Sequence, residues 1–428
     1  MSDIIDIFKE ITKIPRCSKT HEPFIKYMKN LASNLDYLCL VDDFNNILCK
    51  KKNSNAKLAF QSHYDIVCLN NDCIPEIMQD GDTLYAKNST LGSDNGIGCS
   101  YMIKLMQDGY DGEFLFTSDE EIGLIGANNL SLELNSSYML NLDSEQEGEI
   151  CIGCAGGVDI FAVNSNKKIT PNDKNLDLYE ITLLNLPGGH SGVDIDKNIP
   201  NAIKLLTKTI KEANAKLLEF NAGERINSIP ANAKAIIACK NRPNASHDNM
   251  KIEKIDATSE HLSIFDDKVI DFIYDFKHGV LSKNSELDVV QNSINLAIVS
   301  TTIDSIKIEF SARSMANDEL HAIKDETINI LHEHGFTVTT DGKYPAWKPD
   351  INDFTSKVQD IYKQFNSDAA LKAIHAGLEC AIFKDRYPHI KVASIGPTIK
   401  FPHSKKEEVS IKSVNNLFKV VEKISKEI

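Results

Sequence analysis

Apolar residues recur at helical spacing over residues 3–13 (Ile4, Ile7, Phe8, Ile11) and 21–35 (Phe24, Tyr27, Met28, Leu31), with Pro15 between. This pattern predicts two packing helices. Short apolar runs at 37–41 and 47–50 flank Asp42-Asp43-Phe44-Asn45-Asn46 and predict a hairpin. The runs 58–60, 113–117 and 138–142 read as buried strands, and each gives way to polar or small residues. Between the first two, Ile97, Tyr101, Met102, Leu105 and Met106 mark a helix that opens on a glycine-rich loop.

Residues 151–157 read as small and flexible, 158–163 as apolar, and 164–175 as a polar break. A strand at 176–184 leads to Pro187-Gly188-Gly189-His190-Ser191-Gly192, taken as the mouth of a second domain. A helix at 198–214, strands at 233–239, 305–312 and 336–340, and a helix at 318–332 make that domain α+β. Residues 241–300 carry little periodicity. Tyr344-Pro345-Ala346-Trp347-Lys348-Pro349 marks the return, followed by a helix at 358–365, a strand at 392–395 and a closing helix at 409–424. The expected fold class is α/β, with a catalytic domain at 1–176 and 346–428 interrupted by an insert at 177–345.

Composition narrows the function classes. Lys and Arg number 47 against 61 Asp and Glu, a net charge of −14 with no long block of either sign, which argues against an extended nucleic-acid footprint. No stretch approaches the roughly 20 apolar residues of a membrane helix. The N-terminus reads as an acidic amphipathic helix rather than a basic region before an apolar one. Ten cysteines without a secretory signal read as reduced thiols in a cytoplasmic protein, and Cys151-Ile152-Gly153-Cys154 reads as buried packing.

Four groups carry the chemistry: Gln61-Ser62-His63-Tyr64-Asp65, Thr90-Leu91-Gly92-Ser93-Asp94-Asn95-Gly96-Ile97-Gly98, Thr117-Ser118-Asp119-Glu120-Glu121 and Leu140-Asn141-Leu142-Asp143-Ser144-Glu145. Loops at strand ends are where an open α/β sheet keeps its chemistry. One imidazole and several carboxylates without thiols point to a metal bound through N and O. The two-residue step from His63 to Asp65 puts both side chains on one side of an extended chain, so Asp65 can orient the imidazole. Each group also has a plainer reading: a surface His–Asp pair, a capped helix start with turn glycines, a solvated acidic turn. The glycine spacing at 92, 96 and 98 matches neither phosphate-binding fingerprint.

In order, the groups resemble the aminoacyl-histidine dipeptidase family, within the wider metallopeptidases that include carnosinases, peptidase T, carboxypeptidase G and acetylornithine deacetylase. Further markers are Ile11-Thr12-Lys13-Ile14-Pro15-Arg16, Gly153-Cys154-Ala155-Gly156-Gly157, Gly188-Gly189-His190-Ser191-Gly192 and His375-Ala376-Gly377-Leu378-Glu379-Cys380. The resemblance implies a mixed central sheet flanked by helices, an insert serving as lid and dimerisation domain, and two divalent ions per chain, with Zn²⁺ expected and Mn²⁺ or Co²⁺ as substitutes. It places one ion on His63 and Asp143, the other on Glu121 and His403, with Asp94 bridging and a cis Asp94–Asn95 peptide. Asp65 orients His63, and Glu120 is the general base toward a water whose pKa the ions lower. His190 donates to the developing oxyanion, Arg313 clamps the substrate carboxylate, and Asn227 and Glu379 contact substrate. The expected activity is hydrolysis of unblocked dipeptides, Xaa-His or broader, by a cytoplasmic homodimer with no nucleic-acid or membrane partner. The alternatives are a related amidohydrolase that deacylates N-acyl amino acids, or a metal-dependent peptide-binding protein without catalysis.

Overall fold

The computed structural model describes residues 3–69, 74–165, 168–169, 176–256 and 263–428, which divide into two compact units. The first comprises Met1–Cys154, Trp347–Ala373 and Leu378–Ile428, the second Ala155–Ala346 and Ile374–Gly377.

In the first unit eight strands form a mixed sheet, in the order Tyr37–Val41, Ile47–Lys51, Glu113–Thr117, Leu58–His63, Tyr138–Asn141, Lys391–Ser394, Glu149–Cys154, Ala370–Ile374, and a separate four-stranded sheet joins Ile399–Lys400, Glu408–Ser410, Thr83–Ala86 and Ile77–Asp80. Leu58–His63 runs parallel to both Glu113–Thr117 and Tyr138–Asn141, and Lys391–Ser394 runs parallel to the latter. These central strands are buried almost throughout, as expected of parallel strands covered on both faces. Helices Ile4–Ile11, Ser93–Gln107, Asp353–Lys363 and Ile411–Glu427 share their core through Phe8, Ile97, Met102, Val358 and Leu417. Their ends are set locally. Asn352 and Thr355 form a capping box, and the Ser410 hydroxyl accepts from the Ser413 amide.

The second unit carries an antiparallel sheet ordered Met250–Ile255, Asp177–Leu183, Ala233–Cys239, Lys216–Ala222, Val289–Thr301, Ile306–Ser314, Gly156–Asn164, Thr337–Tyr344, with Gly279–Asn284 paired to Val289–Thr301. Helices Ala202–Glu212, Asp267–Asp275 and Asn317–Glu333 cover one face through Ile203, Leu206, Phe272 and Leu320.

Three expectations are corrected here. The boundary at 176 falls too late, because Gly156–Asn164 is hydrogen-bonded between Ile306–Ser314 and Thr337–Tyr344 and so belongs to the second sheet. The stretch 151–157, read as small and flexible, instead forms parts of two buried strands. The thiols are not all reduced. Cys17 and Cys68 are joined, since a parallel bridge between Cys17 and Ile66 brings their Cα atoms to 5.7 Å, within disulfide range. Cys151 and Cys154 remain buried thiols. Much of the expected break at 164–175 lies outside the described residues. No described helix is long and apolar enough to cross a membrane.

Candidate metal centre

Parallel strands emptying at one edge account for the site. Leu58–His63 ends in His63, Glu113–Thr117 leads to Glu120 and Glu121, Tyr138–Asn141 leads to Asp143, and the chain beyond Lys391–Ser394 leads to His403. From Leu58–His63 the chain passes on to Glu113–Thr117 on one side, and from Tyr138–Asn141 to Glu149–Cys154 on the other, so a topological switch point falls between these two neighbouring strands. Asp94 arrives separately, at the start of helix Ser93–Gln107, where it and Asn95 keep non-helical backbone angles. The Asp94–Asn95 peptide is cis.

Asp94 has one carboxylate oxygen on each of two imidazoles. Its Oδ1 lies 3.1 Å from His63 Nε2, which is also 3.2 Å from Asp143 Oδ1. Its Oδ2 lies 3.0 Å from His403 Nε2, itself 3.0 Å from Glu121 Oε2. Ligand atoms of His63, Asp94 and Glu121 lie within 4.8 Å of one another. Tetrahedral ligands about 2.0–2.1 Å from a zinc ion stand roughly 3.3 Å apart, so the donor set and its spacing fit a divalent ion on each side of Asp94.

The charges are strongly coupled. Burial pulls the His63 and His403 imidazoles down, but the carboxylates around them prevail, Asp143 foremost for His63 and Asp94 for His403. Both are raised, His403 to about 12. Asp94, hydrogen-bonded by both rings, is held below the ordinary carboxylate range against the opposing effect of burial. Burial, reinforced by Glu121, Asp143 and Glu379, pushes Glu120 well above that range despite His63. Burial and Asp94 take Glu121 up to about 7 against the pull of His403. This crowding of carboxyl groups at a protein edge is the electrostatic environment that a bound cation relieves.

The orientation of His63 differs in detail from expectation. Its Nδ1 lies 3.1 Å from the main-chain oxygen of Asp65 and 3.6 Å from the carboxylate, and only the shorter contact is a hydrogen bond. The fully buried Asp65 carboxylate instead accepts from Ser18 Oγ at 2.8 Å and from the Glu120 and Glu121 amides at 3.1 and 3.4 Å. It thereby sets the acidic turn. Glu379 is also corrected. It has no exposed surface, and its Oε2 accepts from Thr117 Oγ1 at 2.7 Å and from Gln61, so it supports the strands beneath the site instead of meeting substrate.

In the second unit, Gly189–His190 pairs with Ser228–Ile229, which puts His190 beside the turn bearing the exposed Asn227. The Gly192 and Val193 amides donate to His190 Nδ1 at 3.2 and 3.1 Å. The ring proton therefore sits on Nε2, making that atom a donor. Arg313 lies buried inside Ile306–Ser314, with Nη1 donating to the Tyr344 hydroxyl at 2.7 Å. Its cross-strand partner Ser293 lies 2.7 Å from His375 Nε2.

The chain is similar over its whole length to known proteins. The crystal structure of aminoacylhistidine dipeptidase from Vibrio alginolyticus superposes with a TM-score of 0.81 at 28% identity, covering 99% of this chain and 96% of that one. Cytosol non-specific dipeptidase of Escherichia coli (strain K12) is 32% identical over 475 aligned positions, covering 99% of this chain and 97% of its own. The chain belongs to the aminoacyl-histidine dipeptidase family. It is a metal-dependent peptide-bond hydrolase. No family model matches it. Human carnosine dipeptidase 1, with a TM-score of 0.57 at 12% identity over 99% of this chain and 96% of that one, shares the fold.

Beside the centre of this dipeptidase-family chain lie two buried charges, Arg16 and Glu407, whose roles the sequence pattern does not reveal. Arg16 donates to the Tyr64 and Gly92 carbonyls at 2.9 and 2.7 Å. Its guanidinium also crowds two glycines of the loop, Gly96 and Gly92. A Cβ on Gly96 would lie 2.4 Å from Arg16 Nη2, and one on Gly92, whose φ is +70°, would lie 2.9 Å from Ile66. Glu407 was hidden in Lys405-Lys406-Glu407-Glu408, a charge run that reads as solvated surface. Arg16 was masked by Lys13 and Lys19 on either side of it in the stretch after the first apolar helix.

Proposed function

We propose that this chain is a two-metal dipeptidase that hydrolyses the peptide bond of unblocked dipeptides, Xaa-His among them. The observation that carries the reading is the division of Asp94, one oxygen with His63 and Asp143, the other with His403 and Glu121. The E. coli and Vibrio relatives are both dipeptidases. In this reading His63 and Asp143 hold one ion, His403 and Glu121 the other, and Asp94 both. The ions supply Lewis acidity, polarising the scissile carbonyl and acidifying water. Zinc suits the N and O donors, with manganese or cobalt able to substitute.

The protein's own groups do the rest. Glu120, its amide anchored on Asp65 Oδ1, takes the proton of the attacking water on a carboxylate oxygen and returns it to the leaving amine. His190 Nε2 donates to the carbonyl oxygen as it gains charge. Arg313 pairs with the substrate carboxylate and Asn227 contacts the substrate. A cytoplasmic homodimer is the expected form, following the cytosolic description of the E. coli relative and the family resemblance.

The test pairs elemental analysis with turnover. Two ions per chain and metal-dependent release of free amino acids from a dipeptide panel are expected. Hydrolysis confined to N-acetyl amino acids would assign the chain to the deacylases, and bound ions with no turnover of either set would make it a binding protein.

A further inference from the structure

Beyond the ligands, one buried carboxylate gathers an unusual number of donors. Glu407 Oε2 accepts from the Leu91 and Gly92 amides at 2.8 and 3.1 Å. Its Oε1 accepts from the Ser93 amide at 2.8 Å, the Ser93 hydroxyl at 2.6 Å and the Asp94 amide at 3.4 Å. Four consecutive amides thus converge on one side chain more than 300 positions away in sequence. The opposite polarity of the same turn is met by Arg16, which takes the Gly92 carbonyl with Nη2 and the Tyr64 carbonyl, next to His63, with Nη1. Both side chains are almost fully buried, Arg16 at 1% and Glu407 at 2% exposure.

Glu407 is also tied to the other end of the centre. It lies four residues after His403, and its own amide closes a turn on the Ser404 carbonyl at 3.2 Å. One residue therefore joins the loop carrying His403 to the loop carrying Asp94, and Arg16 joins the latter to the strand end carrying His63.

We propose that Glu407 is a positioning residue which, opposed by Arg16, holds Asp94 in place to face both imidazoles and so sets the affinity for divalent ions. The physical reason is preorganisation. A left-handed Gly92 followed by non-helical Asp94 and Asn95 leaves four amides unmet by helical bonds, and a carboxylate accepting all four fixes the turn before any ion arrives. Groups that orient metal ligands in this way typically change metal affinity or activity about 10–100-fold when removed. The inference rests on the ligand reading of Asp94 and His403 given above.

Three measurements on full-length protein test it. The variants are Glu407→Gln, which keeps the size but turns an amide group toward amide donors, and Ser93→Ala, which removes a single bond. Amide hydrogen exchange on metal-free protein is expected to accelerate at residues 91–94 in Glu407→Gln and to hold elsewhere. Calorimetric titration with Zn²⁺ and with Mn²⁺ is expected to show affinity weakened about 10–100-fold in Glu407→Gln and by less in Ser93→Ala. At saturating ion, kcat for a dipeptide is expected to fall while KM holds. Unchanged exchange at 91–94 in Glu407→Gln would overturn the clamp whether or not the ligand reading is right. Should Glu407→Gln fail to fold, unaltered ion affinity in Ser93→Ala overturns it. A wild-type chain that binds neither ion, with exchange still responding to Glu407→Gln, would overturn the ligand reading while the clamp on the turn stands.

Discussion

In the first unit, His63, Glu121, Asp143 and His403 sit at or beyond the ends of parallel strands. In the second, Arg313 and Ser293 sit inside long antiparallel strands and meet across the ladder. The difference follows from how each sheet delivers side chains. Parallel strands point the same way, so their ends gather at one edge and the functional residues interrupt the sequence just where an apolar run stops. Antiparallel strands bring groups together by register and pleat, so a functional residue takes an inward position that an apolar one would otherwise fill. The first arrangement leaves a mark in the sequence and the second does not.

Substitutions can break this comparison, and the largest effect belongs to the strand-end turn. Glu120→Gln should lower kcat about 10²–10⁴-fold while elemental analysis still finds the wild-type ion content. Unchanged turnover would remove Glu120 from the chemistry. Inside the second sheet, Arg313→Met should act mainly on substrate capture. A lost charged hydrogen bond of about 1.5–3 kcal/mol corresponds to a KM raised roughly 10–100-fold with a smaller change in kcat. Steady-state kinetics in which kcat falls and KM does not would place Arg313 in scaffolding alone.

A pH effect sharpens the contrast. Burial, with Arg313 nearby, takes His375 down to about 3 from an ordinary 6.5. The unfolded chain then binds a proton there that the folded chain refuses, so stability rises with pH between about 3 and 6.5 and is lost as pH falls through that window. His375→Asn should flatten this part of the stability–pH curve in denaturant titrations. An identical curve would mean the imidazole is charged when folded. The smallest effect is expected of Cys154→Ala. Cys154 is a buried thiol of the C-x-x-C, and its loss should cost about 1 kcal/mol and leave ion content as it was. A lost ion would show that the thiol pair binds metal.

Legibility followed the same division. The hairpin at 37–51, the helix after the glycine loop and the strands ending at His63, Thr117 and Asn141 were plain because alternation and helical spacing are local properties. Residues 241–300 were opaque although they contain Met250–Ile255, Asp267–Asp275, Gly279–Asn284 and Val289–Thr301. Asn292, Ser293 and Asn295 interrupt the apolar pattern of the longest strand, since this stretch meets Ser314, Arg313 and Ser311 across the ladder. Polar packing in a strand erases the period by which strands are recognised.

The sequence by itself determined the catalytic class of residues and the order in which they occur. Imidazoles and carboxylates bracketed by apolar runs need no partner to be noticed, and the glycines at 92, 96 and 98 announced a tight approach of something. Tertiary structure alone decided what that something was. At Gly96 it is Arg16, far earlier in the chain; at Gly92 it is Ile66 together with Arg16, and at Gly98 it is Asn95, Ser62 and the Leu142 carbonyl, while Glu407, far later, grips the same turn. It also gave Asp65 to the acidic turn more than to His63, moved Gly156–Asn164 into the second sheet and joined Cys17 to Cys68. A charge that reads as solvated in one dimension becomes the anchor of a buried turn only when folding removes its water and supplies hydrogen-bond partners from distant positions.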